Sequence, residues 1–127
     1  MTEFRYFKRS EFACKCGKCD NLIQDSFVEK MDALRHICGF PISISSGYRC
    51  PAHNAAVSGT GDDGPHTTGC AADVPIDRKR AYILLQNAIQ MGFTGIGFKQ
   101  HGGVRFMHLD TLPDALGQPR PAIWSYP

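Results

Sequence analysis

The sequence predicts a small α+β domain with a central antiparallel sheet flanked by helices. Two stretches carry helical apolar periodicity, near residues 25–38 and 78–91. Short strand-like runs lie between and after them, separated by glycine-rich loops. No internal repeat, low-complexity tract or linker breaks the 127 residues, so a single domain is expected, long enough to bury a core.

Taken in order, residues 1–24 form an arm that contains three cysteines in "CKCGKC", residues 14–19. In the first helix Phe27, Met31, Leu34 and Cys38 fall at i, i+4, i+7 and i+11, which places them on one face. Asp25 or Ser26 is the expected cap, and Gly39 the stop. "PISISSGYR" alternates Ile42 and Ile44 with serines and reads as a strand with one buried face. "CPAHNAAV" supports a short helical turn. "SGTGDDGPHTTG", residues 58–69, is a loop, and "CAADVPI" a short buried strand. The second helix is expected from Asp77 as cap to Gly92, with Ala81, Leu84, Leu85, Ala88 and Met91 as its apolar stripe. Its first turn, Arg78-Lys79-Arg80, has the wrong sign for a helix N-terminus and reads as a solvated surface. "TGIGFK" and "VRFMHLD" make a hairpin around Gly102-Gly103, and "RPAIWSYP" is extended.

Composition narrows the function classes. A hydrophobic share of 43%, with 20% charged, is that of a globular chain. A net charge of +2 is too small to argue for nucleic acid, though it would not repel an anionic polymer. No run approaches the roughly 20 apolar residues of a membrane span. The opening MTEFRYFKRSEF lacks the apolar centre of a signal peptide, so synthesis in a cytoplasm is expected. A monomer is expected, with neither nucleic acid nor membrane as partner.

Six cysteines are many for a chain in a reducing compartment, where thiols stay free or bind metal. The C-x-C-x-x-C of Cys14, Cys16 and Cys19 suits a structural zinc or a disulfide staple, but closed zinc sites take four ligands. Cys38, Cys50, Cys70 or His36 could supply the fourth; small unliganded thiols are the plain alternative. The cluster offers no base and no open coordination position.

Chemistry is better served by three other segments. "GPHTTGCAAD" gives His66 and Asp73, "FMHLD" gives His108 and Asp110, and "SSGYRC" gives Arg49. Catalytic zinc takes three protein ligands from His and carboxylate and keeps a fourth position open. Gly69 permits a tight turn between two such ligands, and Ala71 and Ala72 permit close packing. His108 and Asp110, two apart on a strand, point to one face. A guanidinium at Arg49 would grip a carboxylate or offset charge on a carbonyl oxygen. Each residue alone has a duller role: a surface His, a turn-capping Asp, a core His.

Together "SGYRCPAHNAAVSGT", "GPHTTGCAADV", "GIGF" and "RFMHLDT" resemble, in this order, the zinc D-alanyl-D-alanine metallopeptidases. That group includes D-Ala-D-Ala carboxypeptidases, vancomycin-resistance dipeptidases, phage endolysins and the hedgehog signalling domain. The small size and cysteine-rich start are most similar to short phage or prophage members, and the resemblance runs from about residue 10 to the "RPAIWSY" tail. It implies zinc on His66, Asp73 and His108, Arg49 at the substrate or the developing oxyanion, and peptidoglycan stem or cross-bridge peptides as substrate. Several branches carry an acidic base three residues before the last ligand; Arg105 stands there instead. Asp110 is the expected substitute as general base, with His101 second; the strand equally permits Asp110 as ligand and His108 as acid–base. Pro65 replaces the usual serine before the first His. Tyr48, Trp124 and Tyr126 are expected to line the substrate groove, or else to pack in the core. Without a signal peptide, the wall would be reached after release by a separate pore former. The alternative is a zinc-containing module of the same fold that binds peptidoglycan or protein without turnover. A nucleic-acid-binding zinc knuckle formed by "CKCGKC" with Lys15 and Lys18 is the third and weakest reading.

Overall fold

A computed structural model describes residues 3–115 and 117–127. The helices are α1 (Asp25–Cys38), α2 (Pro51–Val57) and α3 (Arg78–Gln90); the strands are β1 (Ala71–Pro75), β2 (Gly95–Lys99), β3 (Phe106–Asp110) and β4 (Ala122–Ser125). Short 3-10 turns occupy Arg9–Phe12 and Pro65–Thr68. Among the described residues no helix is long and apolar enough to cross a membrane.

α1 follows its periodicity. Phe27, Met31 and Leu34 are buried, Cys38 is half-buried, and Gly39 ends the helix at φ 76°. The cap is Gln24 rather than Asp25 or Ser26. Asp25 pairs instead with Arg9, which also donates to the carbonyls of Asn21 (3.0 Å) and Ile23 (2.8 Å). That guanidinium folds the N-terminal arm back onto the body, where Phe7 and Phe12 enter the core. α3 starts after Asp77, whose carboxylate pairs with Arg78 at 2.6 Å and makes no cap bond to the helix backbone. Arg78, Lys79 and Arg80 are exposed, and Arg80 lies over the ring of Phe40 at 5.1 Å. Solvent and these partners offset the unfavourable charge at that end.

The four strands lie in the order β1-β3-β2-β4. β1–β3 and β2–β3 are antiparallel, as expected; β4 runs parallel to β2, so the sheet is mixed. Residues 41–49 do not form the expected strand. They contribute one bridge, Ser46 to Asp73, with Ser45 donating to the Asp73 carbonyl (2.9 Å) and Asp73 to the Ser46 carbonyl (2.7 Å). The next donors leave the sheet. Tyr48 N–H reaches the Phe12 carbonyl (2.8 Å), and Arg49 N–H reaches the His66 carbonyl (3.1 Å). Every backbone donor needs a partner, and here the arm and the His66 turn supply it.

Alternation along the strands divides the sheet. Ala72, Val74, Ile96, Met107 and Leu109 join α1 and α3 in one hydrophobic core. The opposite face carries Asp73, His108, Asp110, Gly95 and Gly97, with Asp73 beside His108 and Gly97 on its other side.

Candidate metal centre

Three donors meet on that polar face. His66 Nε2 is 3.3 Å from Asp73 Oδ1, and His108 Nδ1 is 3.2 Å from the same oxygen. The ligating atoms of all three residues lie within 4.8 Å of one another. His66 rides on the 3-10 turn, Asp73 on β1 and His108 on β3. Between the first two, Gly69 adopts φ 76°, and a Cβ there would strike the Leu22 carbonyl. Only glycine satisfies both demands, so the tight turn expected at Gly69 is present.

The remaining ring nitrogens are occupied. His66 Nδ1–H donates to the Gly47 carbonyl at 2.7 Å, and His108 Nε2–H donates to Asp110 Oδ2 at 2.7 Å. In neutral rings with those tautomers, the other nitrogens turn lone pairs toward a carboxylate oxygen. That arrangement repels unless protons or a cation lie between. A tetrahedron with metal–ligand bonds of about 2.05 Å has edges of about 3.3 Å, and Asp73 Oδ1 stands at 3.3 and 3.2 Å from the two imidazole nitrogens. Two imidazoles and one carboxylate form the donor set of an open zinc site, and the outer hydrogen bonds are of the kind that fix ligand rings.

Charge at the site follows the same contacts. Burial pushes the Asp73 carboxyl up, but hydrogen bonds from His108 and His66 outweigh it and hold the group well below the usual carboxylate range. Burial disfavours the His108 imidazolium, yet Asp110 and Asp73 outweigh it and push the pKa up. For Asp110 burial is again opposed, by His108 and Arg120, and the pKa falls to about 2.

Asp110, the expected general base, does not line the cleft over the three donors. It is fully buried behind His108 and receives two bonds from Arg120, Nε to Oδ1 (3.0 Å) and Nη2 to Oδ2 (2.8 Å). Neither can it ligate in exchange with His108, since Nδ1 and not Asp110 faces Asp73 and His66. His101 is exposed on the β2–β3 turn, with Nε2 3.3 Å from the Tyr126 carbonyl, outside the cleft. Tyr48 is 4% exposed in the hydrophobic core, so of its two expected roles packing is the one the structure gives.

A cleft of about 420 Å³ opens over the three donors. Arg49, Trp124 and Tyr126 line it. Arg49 is held on three sides, by Ser46 Oγ (3.0 Å), Asn54 Oδ1 (3.0 Å) and Asp73 Oδ2 (3.4 Å). Five N–H groups less three leave two for a ligand. Trp124 sits against His108 at 5.1 Å between ring centroids, and a Cβ at Gly97 would collide with Trp124 and Tyr126. The glycine of "GIGF" therefore makes room for the aromatic wall. Burial pushes the Tyr126 phenol up, which keeps it a donor.

Two participants escaped sequence reasoning. Arg120, which holds Asp110 and covers Trp124 at 5.2 Å, was visible only as a lone cation beside an apolar strand. Asn54, 1% exposed, supports Arg49 and binds Thr60 Oγ1 (2.8 Å) and the Gly61 carbonyl (2.6 Å). No spacing rule singles it out within "PAHNAAV".

The family model described as Peptidase M15 matches residues 5–110. The matched region holds His66, Asp73, His108 and Arg49, and it ends before Arg120, Trp124 and Tyr126. No curated protein and no solved structure matches the chain.

Proposed function

The chain belongs to the Peptidase M15 family, and from that premise we propose that it is a zinc-dependent peptidase acting on the stem or cross-bridge peptides of bacterial peptidoglycan, in the manner of an endolysin or a D-Ala-D-Ala carboxypeptidase. One observation carries the reading. His66, Asp73 and His108 converge at ligand spacing on the wall of a cleft, and both rings are fixed from behind. The likeness of "SGYR", H-x6-D and H-x-D to wall peptidases supports the substrate class.

His66 Nε2, Asp73 Oδ1 and His108 Nδ1 would hold the metal. Zinc there would supply Lewis acidity toward a water molecule and a substrate carbonyl. The chain's own groups do the positioning. The Arg120–Asp110 pair holds the His108 tautomer that directs Nδ1 to the cleft. Arg49 pairs with Asp73 at 3.4 Å and offers its two free N–H groups to a substrate carboxylate or a developing oxyanion. Tyr126 adds a phenol donor, and Trp124 an apolar wall.

A second reading rests on the lining of the cleft. Asp73 is the only carboxylate among its described residues, and Arg105 stands where several branches of the wall-peptidase group carry an acid. A module that holds zinc and binds wall peptide without turnover would look the same. Zinc-loaded protein incubated with peptidoglycan of several chemotypes separates the two. New amino groups, abolished by a chelator and by Asp73→Asn, establish the peptidase; saturable binding with no amine release establishes the module.

A further inference from the structure

We infer that Cys14, Cys16, Cys19 and Cys50 hold a second zinc ion in a closed, four-thiolate site that ties the N-terminal arm to the segment bearing Arg49. The four sulfurs lie within 4.8 Å of one another. Cys16 to Cys19 is 3.4 Å, Cys14 to Cys50 is 3.8 Å, and Cys16 to Cys50 is 3.9 Å. A tetrahedron with zinc–sulfur bonds of about 2.3 Å has edges of about 3.8 Å. A disulfide needs about 2.05 Å, and none of these thiols is so joined.

The structure also chooses the fourth ligand. Cys38 lies against Asn87 Nδ2 at 3.8 Å, and His36 Nδ1 is bonded to the Tyr6 hydroxyl at 2.7 Å. Cys70 precedes β1, and neither it nor these two joins the sulfur cluster. Cys50, 31 residues beyond Cys19 in the chain, does.

Backbone donors already face the sulfurs. Lys18 N–H points to Cys16 Sγ, and Cys50 N–H to Cys14 Sγ, both at 3.4 Å. Such bonds stabilise thiolates and orient ligands. Zinc uptake would release the thiol protons to solvent without change of oxidation state. Four cysteines leave no position for water or substrate, so this ion holds the chain and does no chemistry.

What it holds is specific. Cys50 follows Arg49 and caps α2, and Tyr48 N–H bonds the Phe12 carbonyl two residues before Cys14. Gly47, in the same segment, accepts the outer proton of His66. The clamp thus fixes the backbone from which the peptidase centre takes two supports.

The test is zinc per chain by elemental mass spectrometry, with mass mapping of cysteine alkylation before and after chelation. Wild type is expected to carry two zinc ions, and Asp73→Asn and Cys50→Ser one each. In Asp73→Asn the four cluster cysteines should resist alkylation until chelator is added. Chelation of that variant should also raise amide exchange at Tyr48 and Arg49. Should Cys50→Ser fail to fold, the alkylation map of Asp73→Asn decides alone. Four cysteines that react freely with zinc present, or that are recovered as disulfides, would overturn the site; iron at that stoichiometry would overturn the metal. No readout uses peptidase activity, so this inference and the proposed function fail separately.

Discussion

The two side-chain clusters of this protein use the same geometry for opposite ends. At His66, Asp73 and His108, three donors face a cleft, and each ring has its far nitrogen anchored in the fold. At Cys14, Cys16, Cys19 and Cys50, four sulfurs face one another, with the N–H groups of Lys18 and Cys50 set against two of them. An open set of three can accept a reactant; a closed set of four can only join pieces of chain. The contrast teaches that the number of donors and what stands behind them tell chemistry from architecture. Density of metal-binding residues in the sequence does not.

The strongest way to break the contrast is Asp73→Asn. If the first cluster alone does chemistry, peptide hydrolysis should fall by at least about 10³-fold, the value of losing several kcal/mol of charge stabilisation, while the fold survives. A stopped-time assay of amine release, with circular dichroism as control, checks both halves. Equal activity would sink the assignment.

Cys19→Ser probes the other side. It should lower the Tm by on the order of 10 °C, while the protein still folded keeps most of its turnover. Scanning calorimetry beside an activity assay reads the two apart.

Arg120→Ala sharpens the comparison by removing the support rather than the ligand. It leaves Asp110 buried with His108 as its one remaining ionic partner among the described residues, and should cost about 3–5 kcal/mol of stability. Zinc affinity at the first cluster should fall about 10–100-fold, and Arg120→Lys should restore only part of it. Denaturant unfolding and competitive zinc titration give the numbers.

The same pair predicts an acid limit. The folded pKa of Asp110 is depressed from its ordinary 3.8 to about 2. Its contribution to stability is therefore fully present above about pH 3.8 and is lost as pH falls through about 2. Acid unfolding of metal-free protein should show this, and Asp110→Asn should flatten the curve in that window. The smallest effect belongs to His101→Ala, which should change turnover less than about twofold, because the ring stands outside the cleft.

Much of this was legible from residues alone. The period of Phe27, Met31 and Leu34 located α1, and "FMHLD" placed His108 on a strand, because local periodicity survives into the fold. Asp110 was read as sharing the face of His108, and it does. What alternation cannot give is depth: Asp110 lies beneath the ring, paired with a cation from residue 120. The strand expected at 41–49 failed for a related reason. Its backbone donors are claimed by Phe12 and His66, partners far away in sequence. Cys50 stayed one of four candidates until the fold brought it to the arm.

β4 pairs directly with β2 although β3 intervenes in the chain, and it brings Trp124 and Tyr126 to the cleft just after Arg120. His66, Asp73 and His108 all precede those residues in the chain. Without that last segment, His108 lacks the charge that steadies its anchor and the cleft lacks a wall. A chain cut before Arg120 would therefore keep its full set of ligands in an unfinished site.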